Sequence, residues 1–303
     1  MRWLLTALIA VACLEGALRL GAGLGQPPLV TLSPETEYQL VPSKTYRRFG
    51  NDIEINAFGL RGPDMAATAE PEERRVLLIG DSVIYGNHFL DQTEIIATRL
   101  TEHLRAATGL DNCQPSALAF AASSWGPVNQ AAFLAETGPL DAALALLVVS
   151  SHDLYDTPRR RGHVIPYRLT PPIGAIGDAV ESLVERVRRQ FVPAPAIQTR
   201  AERRAASLVV LDQLAGQLAA ENVPLVLVYH PTVPERQTGL APEEKVFSNW
   251  AASKEVPYVA LNVANSPDMY RDHIHPSATV ADEIAQALAR IATPKLRPCD
   301  TPG

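Results

Sequence analysis

The stretch Val76-Leu77-Leu78-Ile79-Gly80-Asp81-Ser82 passes from a continuous apolar run into a polar turn. A short run without alternation indicates a strand that is covered on both faces, as in a parallel sheet between helices. Further runs of this kind follow at 117–121, 143–149, 225–229 and 258–261. Segments with helical patterns separate them. The chain therefore predicts a five-stranded parallel sheet in an α/β fold with three α/β/α layers.

The carboxyl ends of parallel strands form the edge of the sheet where ligands bind. Polar residues follow four of the predicted strands, and we expect them on this edge: Ser82, Ser124, His152 and His275. A serine hydroxyl becomes a nucleophile only beside a base, and that base needs a third group to fix its tautomer. Asp272 stands three residues before His275, ahead of the last predicted helix. The chain thus contains all three parts.

Two motifs carry a family resemblance. Gly80-Asp81-Ser82 followed by Gly86, together with Asp272-x-x-His275-Pro276, resembles the SGNH/GDSL hydrolases over about residues 71–292. The resemblance implies a flavodoxin-like domain that cleaves or transfers O-acyl esters, with Ser82 as nucleophile, His275 as general base and Asp272 as its partner. The Gly-x-Ser-x-Gly elbow of the α/β-hydrolases is absent, because Ile84 stands at its second glycine.

In that family a glycine N–H and an asparagine side chain complete the oxyanion hole. Ser124 and His152 occupy those positions here. The Ser124 N–H can still donate, and Gly126 is an alternative two residues later. A neutral imidazole carries one N–H donor, so His152 can replace the amide in the right tautomer. We therefore predict an oxyanion hole of Ser82, Ser124 and His152.

Two further side chains are candidates for substrate binding. Trp125 stands beside the second motif, where its ring either stacks on a sugar or belongs to the core. His230 follows the fourth strand and either contacts substrate or makes a structural hydrogen bond. Zinc-type cysteine spacing, a Walker loop and a dinucleotide fingerprint are all missing from the sequence. We expect no metal and no cofactor.

Residues 1–25 are expected to form a transmembrane anchor or a signal. An apolar run from Trp3 to Leu14 is interrupted by Glu15 and Arg19. An uncleaved anchor is long enough to span a bilayer, although an acid at mid-bilayer costs on the order of 3 kcal/mol. The alternatives are a signal cleaved after Ala10-x-Ala12, which would leave a secreted protein, a lipoprotein acylated at Cys13, and a buried helix.

All but the buried helix place the catalytic domain outside the cytoplasm, in the periplasm or at the cell surface. An oxidising compartment would allow Cys113 and Cys299 to pair. Two unrelated thiols are the alternative, because the sequence does not bring these residues together.

Residues 26–70 are proline-rich, and we expect them to be irregular apart from a strand at 52–56, with Ile53, Ile55, Phe58 and Leu60 packed on the domain. Residues 71–303 form the hydrolase-like domain, with an insertion at about 154–205. Residues 156–205 hold ten arginines and five acids, and a helix is predicted from 176 to 191. This insertion is a helical cap with a solvated face, or a basic lid toward an anionic substrate or lipid headgroups.

The formal net charge of −6 gives no sign of nucleic-acid binding. Three functions are compatible with the motifs. The first is a serine esterase that removes O-acyl groups, acetyl above all, from a carbohydrate or a cell-envelope glycan. The second is an O-acyltransferase that modifies an envelope polysaccharide through the same acyl-serine. The third is a non-catalytic protein that binds a glycan or a partner, which the substitutions at Ser124 and His152 would favour.

Overall fold

The computed structural model describes residues 1–156, 168–191, 198–263 and 269–299. The chain begins with helix α1, Arg2–Ala22, in which no residue is buried. Among the described helices, α1 alone is long and apolar enough to cross a membrane. This finding agrees with the anchor and with the signal interpretation, and it argues against a buried helix.

Residues 26–70 form two β-hairpins, whereas the sequence predicted a single strand. Strands β1, Val30–Ser33, and β2, Glu37–Leu40, pair antiparallel, as do β3, Lys44–Arg48, and β4, Asn51–Ile55. Only β4 was predicted. Strand β1 buries one side chain, and one of the two inward positions of β3 is an arginine, so neither gives an apolar alternation. Strand β2 does alternate and was missed. Ile53, Ile55 and Leu60 are buried and Phe58 packs against the same core, so the segment lies on the domain.

The central sheet has five parallel strands. They are β5, Glu73–Gly80; β6, Gln114–Ala121; β7, Ala142–Val149; β8, Leu225–Tyr229; and β9, Tyr258–Ala260. Their order across the sheet is β6-β5-β7-β8-β9. The first strand of the domain lies between the second and the third, which is the flavodoxin-like order. The predicted fold class is confirmed.

Helices cover the sheet. They are α2, Ser82–Tyr85; α3, Ile96–Arg105; α4, Pro127–Thr137; α5, Gly174–Phe191; α6, Arg200–Ala220; α7, Val233–Thr238; α8, Pro242–Ser253; and α9, Ala278–Ala292. Helix α3 packs on α9, and α4 packs on α6. Right-handed crossovers between parallel strands place such pairs on the two faces of the sheet. The layers therefore follow from the strand order.

Cys113 and Cys299 form a disulfide with their Cα atoms 5.3 Å apart. The bond joins the segment before β6 to the segment after α9. The sequence left open whether these cysteines pair or are unrelated thiols, and in the structure they pair. Cys13 is free and exposed on α1.

Candidate active site

Ser82, His275 and Asp272 meet at the carboxyl edge of the sheet. The Oγ atom of Ser82 lies 2.9 Å from Nε2 of His275. The Nδ1 atom of His275 lies 2.7 Å from Oδ2 of Asp272. Ser82 is the first residue of α2, directly beyond β5, and His275 lies on the loop before α9. The three residues thus have the geometry of a nucleophile, a base and an orienting carboxylate.

The turn that presents Ser82 depends on the two residues before it. A Cβ atom at Gly80 would lie 2.5 Å from Cγ1 of Ile84, so a larger residue does not fit. Asp81 caps α2, and its Oδ1 accepts the N–H of Val83 at 2.8 Å. The N–H of the first helical residue has no acceptor within the helix. The Ser82 N–H is therefore available to an oxyanion.

Asp272 is held in place by its own loop. Its Oδ1 accepts the N–H groups of Ile274 and His275, each at 2.9 Å. Burial favours the protonated carboxyl, but these hydrogen bonds and the imidazole outweigh it and lower the pKa of Asp272. The carboxylate therefore stays ionised at neutral pH. His273 is exposed and its carbonyl accepts the Val233 N–H at 2.8 Å, away from the triad.

The loop with Phe89, for which the sequence predicted no role, supports the general base His275. The rings of Phe89 and His275 meet edge to face, with centroids 5.3 Å apart. Arg271 donates from Nη2 to the Phe89 carbonyl at 3.1 Å, which ties this loop to the His275 loop. The imidazole is thus positioned by Asp272 from one side and by an aromatic ring from another.

His152 makes a contact with Asp81 that was not predicted from the sequence. Its Nε2 lies 2.9 Å from Oδ2 of Asp81, a carboxylate that is 3% exposed. This nitrogen therefore serves Asp81, and Nδ1 would have to be the donor to an oxyanion. Burial disfavours the imidazolium and by itself would lower the pKa of His152. The pKa is nevertheless raised, because the charge of Asp153 and the hydrogen bond and charge of Asp81 outweigh burial. A protonated ring carries N–H donors at both nitrogens, so the predicted dependence on one tautomer does not apply.

Asp153 is buried beside this pair. Its Oδ2 accepts the Ser150 N–H at 2.6 Å. Burial raises the pKa of Asp153 well above its usual value, whereas the pKa of Asp81 is lowered despite burial because His152 binds it. Of the two carboxyl groups, Asp81 is the one in direct contact with His152, and this contact favours the cationic form of the imidazole.

Asp81, His152 and Asp153 also offer one ligand atom each within 4.8 Å of one another, as a metal site would. The hydrogen bonds of Asp81 to His152 and Val83, and of Asp153 to the Ser150 N–H, account for this proximity. The residues are therefore a hydrogen-bonded pair of Asp81 and His152, with Asp153 bound to the backbone beside it.

Ser124 adopts the backbone conformation of a glycine. Its φ of +58° lies in the left-handed region, and its side chain is exposed. Its N–H donates no hydrogen bond among the contacts of the described residues. The alternative donor does not fit, because the Gly126 N–H donates to Oδ1 of Asn129 at 3.1 Å. The backbone N–H of Ser124 is thus available as a donor, whereas that of Gly126 is not.

The structure does not support the two candidates for substrate binding. Trp125 is 2% exposed, packs on Phe133 with ring centroids 5.0 Å apart, and donates from Nε1 to the Tyr38 carbonyl. Its ring belongs to the core and offers no face to a sugar. His230 is fully buried, and burial lowers its pKa to about 3, so it is neutral. Neither side chain is exposed for contact with a substrate.

Arg61 makes several hydrogen bonds next to the site, and the sequence predicted no role for it. Its side chain is 1% exposed and it donates to backbone carbonyls of the loop after α2, namely Tyr85 at 2.8 Å, Asn87 at 2.6 Å and Leu90 at 2.8 Å. Burial lowers the pKa of Arg61 to about 10, which leaves it charged at neutral pH. The N-terminal hairpins thus hold the loop that carries Phe89. An arginine after an apolar strand gives no sequence signal for such a contact.

A scan against protein-family models and a search of the curated proteins find no match to this chain. Solved structures do match. A GDSL-like lipase from Bacteroides thetaiotaomicron is 15% identical, with 76% of this chain and 92% of that chain covered and a TM-score of 0.42. An acetyl xylan esterase from Butyrivibrio proteoclasticus is 10% identical, with 77% and 66% covered and a TM-score of 0.42. A two-domain esterase active on acetylated mannans is 10% identical, with 77% and 53% covered and a TM-score of 0.46.

Proposed function

We propose that the protein is a serine esterase of the SGNH type that removes O-acyl groups through an acyl-serine intermediate. The observation that carries this proposal is the continuous hydrogen-bonded chain from Ser82 Oγ to His275 and on to Asp272, at 2.9 and 2.7 Å. Packing alone does not require a carboxylate, an imidazole and a hydroxyl in this order. A protein that only binds a ligand would not need it.

The reaction follows from this geometry. His275 accepts the Ser82 proton at Nε2 as Oγ attacks the ester carbonyl, and the carbonyl oxygen becomes an oxyanion. Collapse of the tetrahedral intermediate breaks the bond to the alkoxy oxygen, which takes the proton from His275 and leaves as the alcohol. Water then attacks the acyl-serine and gives a proton to His275. The bond between the acyl carbon and Ser82 Oγ breaks, Oγ takes the proton back from His275, and the acid leaves. The ionised Asp272 stabilises the imidazolium in both halves.

The oxyanion would be held by the N–H groups of Ser82 and Ser124, together with Nδ1–H of His152. Asp81 lies next to Ser82 in the chain, and its charge alone would oppose a developing oxyanion. The His152 imidazolium offsets that charge through the 2.9 Å contact. The replacement of the family asparagine by His152 is therefore compatible with a working hole.

The substrate class and location are inferred from the sequence. The resemblance implies an O-acylated carbohydrate, with acetyl as the acyl group, and we propose such a glycan or small molecule. Helix α1 would anchor the protein, and the Cys113–Cys299 disulfide fits an oxidising compartment outside the cytoplasm. Secretion after cleavage of α1 is the alternative.

The test is hydrolysis of p-nitrophenyl acetate by the full chain in detergent. Ser82→Ala and His275→Asn should each lower kcat by roughly 10⁴-fold, because the nucleophile and its base act as a unit. His273→Asn is the matched control, since this exposed histidine lies two residues away and outside the triad, and it should keep wild-type activity. Equal activity of wild type and Ser82→Ala would contradict the esterase. Turnover that needs an added sugar acceptor would instead indicate a transferase.

A further inference from the structure

Helix α5 carries an apolar stripe that faces outward. Val180, Leu183, Val184 and Val187 are 54, 62, 60 and 47% exposed. They are spaced three and four residues apart and occupy an arc of about 100° on the helix. Ile173, just before the helix, is 94% exposed and continues the stripe. A helix that packs on a protein core would bury this face.

The opposite face of α5 holds a buried charge. Asp178 is fully buried, and its Oδ2 accepts from Arg48 Nη1 at 2.6 Å and from the Gly25 N–H at 2.9 Å. Arg168 donates to its Oδ1 at 3.1 Å. The helix therefore turns a paired carboxylate toward the protein and the apolar stripe away from it. This orientation is stable only where the surroundings of the apolar side are not water.

Helix α5 is hydrogen-bonded to the C-terminal half of α1. Glu15 accepts the Ala175 and Ile176 N–H groups at 2.8 and 2.9 Å, and so caps the N-terminus of α5. Arg19 donates to the same carboxylate at 2.6 Å. A Cβ atom at Gly174 would lie 2.8 Å from this carboxylate, so the contact is close. The acid that interrupts the apolar run of α1 thus has a structural partner.

Helices α1 and α5 meet where Glu15 caps the N-terminus of α5. Residues 1–14 are all exposed, including Leu8, Val11 and Leu14, and α5 contacts α1 in its C-terminal part. A bilayer that receives α1 would therefore lie close to the N-terminal end of α5, where the stripe begins. Arg186 is exposed beside the stripe, where anionic headgroups would attract it.

We propose that the apolar stripe of α5 lies in the boundary between headgroups and acyl chains, as a second membrane contact beside α1. The proposal rests on the proposed membrane anchor. With two contacts the domain cannot rotate freely about α1, and its active site is held at a fixed height above the bilayer. The described part of the insertion is then a membrane contact. The segments 157–167 and 192–197, on which the predicted lid also depended, lie outside the described residues.

The experiment uses the full chain in vesicles of phosphatidylcholine and phosphatidylglycerol, with Cys13→Ser and one new cysteine that carries an environment-sensitive fluorophore. The sites are Val184→Cys on the stripe, Leu8→Cys on α1 and Val209→Cys on α6. Val209 is the matched control, because it is a helical valine with 59% exposure against 60% for Val184. Circular dichroism verifies that each labelled variant is folded.

Spin-labelled acyl chains should quench the fluorophore at 184 nearly as strongly as at 8, and about threefold more than at 209. Emission at 184 should also shift to the blue when vesicles are added. Equal, weak quenching at 184 and 209 with strong quenching at 8 would overturn the proposal and leave the anchor intact. Weak quenching at all three sites would overturn the anchor, and this proposal with it.

Discussion

His152 and Asp81 form the residue-level feature that most distinguishes this site. A buried carboxylate next to the nucleophile is costly unless it is paired, and the imidazolium supplies the pair. The same cation would present a second N–H toward the reacting centre. One side chain would thus neutralise Asp81 and contribute to the oxyanion hole.

We predict that His152→Ala lowers kcat about a hundredfold, because a donor is lost and Asp81 is left unpaired. His152→Asn should keep much of the activity, since an amide can donate to either group. Steady-state hydrolysis of p-nitrophenyl acetate by the two variants provides the measurement. Wild-type activity in His152→Ala would place His152 outside the hole.

The same pair makes stability depend on pH. The pKa of Asp81 is lowered in the fold, so its contribution is present above about 3.9, its unfolded value, and is lost as the pH falls through the folded pKa. The pKa of His152 is raised, so its contribution is complete below about 6.5 and is lost as the pH rises through the folded pKa.

The free energy of unfolding of the wild type, measured in urea, should therefore exceed that of His152→Asn. The difference should be largest near pH 6 and smaller near pH 9. A difference that is the same at both pH values would mean that folding does not raise the pKa of His152.

At the scale of elements, the N-terminal hairpins act on the active site through Arg61. This residue follows β4 and donates to the loop that joins α2 to α3. The loop carries Phe89 against His275, and Asn87 accepts a hydrogen bond from Ser123, beside the Ser124 turn. Both sides of the candidate site therefore depend on a segment outside the sheet.

Arg61→Met should lower the free energy of unfolding by on the order of 3 kcal/mol, because buried carbonyls lose a charged donor. The matched control is Arg47→Met on the neighbouring β3, where the side chain is 68% exposed and a loss below about 0.5 kcal/mol is expected. Urea denaturation measures both. Equal losses would show that the Arg61 contacts contribute little.

At the scale of the whole molecule, the disulfide encloses most of the domain. Cys113 and Cys299 are 186 residues apart in sequence, and the bond holds the segment after α9 against the segment before β6. Cross-linking such a long loop removes conformational freedom from the unfolded chain.

We predict that Cys299→Ser lowers the free energy of unfolding by about 2–4 kcal/mol. Cys13→Ser, which changes an exposed thiol on α1, should leave it unchanged. The same loss should follow when the wild type is reduced. Unchanged stability on reduction would mean that the bond does not form in solution.

By itself, the sequence determined the central sheet and the triad. The apolar runs before Ser82 and at the other strands have no polar face, so they predict strands that are covered on both sides, as in a parallel sheet. The carboxyl ends of parallel strands lie together at one edge. The i, i+3 spacing of Asp272 and His275 is local and therefore visible in sequence. Their contact with Ser82 follows once the strand order is known.

Only the tertiary structure decided what each remaining polar residue touches. His152 pairs with Asp81, and Arg61 contacts a loop 24 to 29 residues away in sequence. Trp125 and His230 are buried by residues from other parts of the chain. No local pattern in the sequence encodes such long-range contacts. The outward stripe of α5 was visible as a periodic pattern, but its direction was not. A helical period shows that two faces differ, whereas the neighbours of each face determine which one is buried.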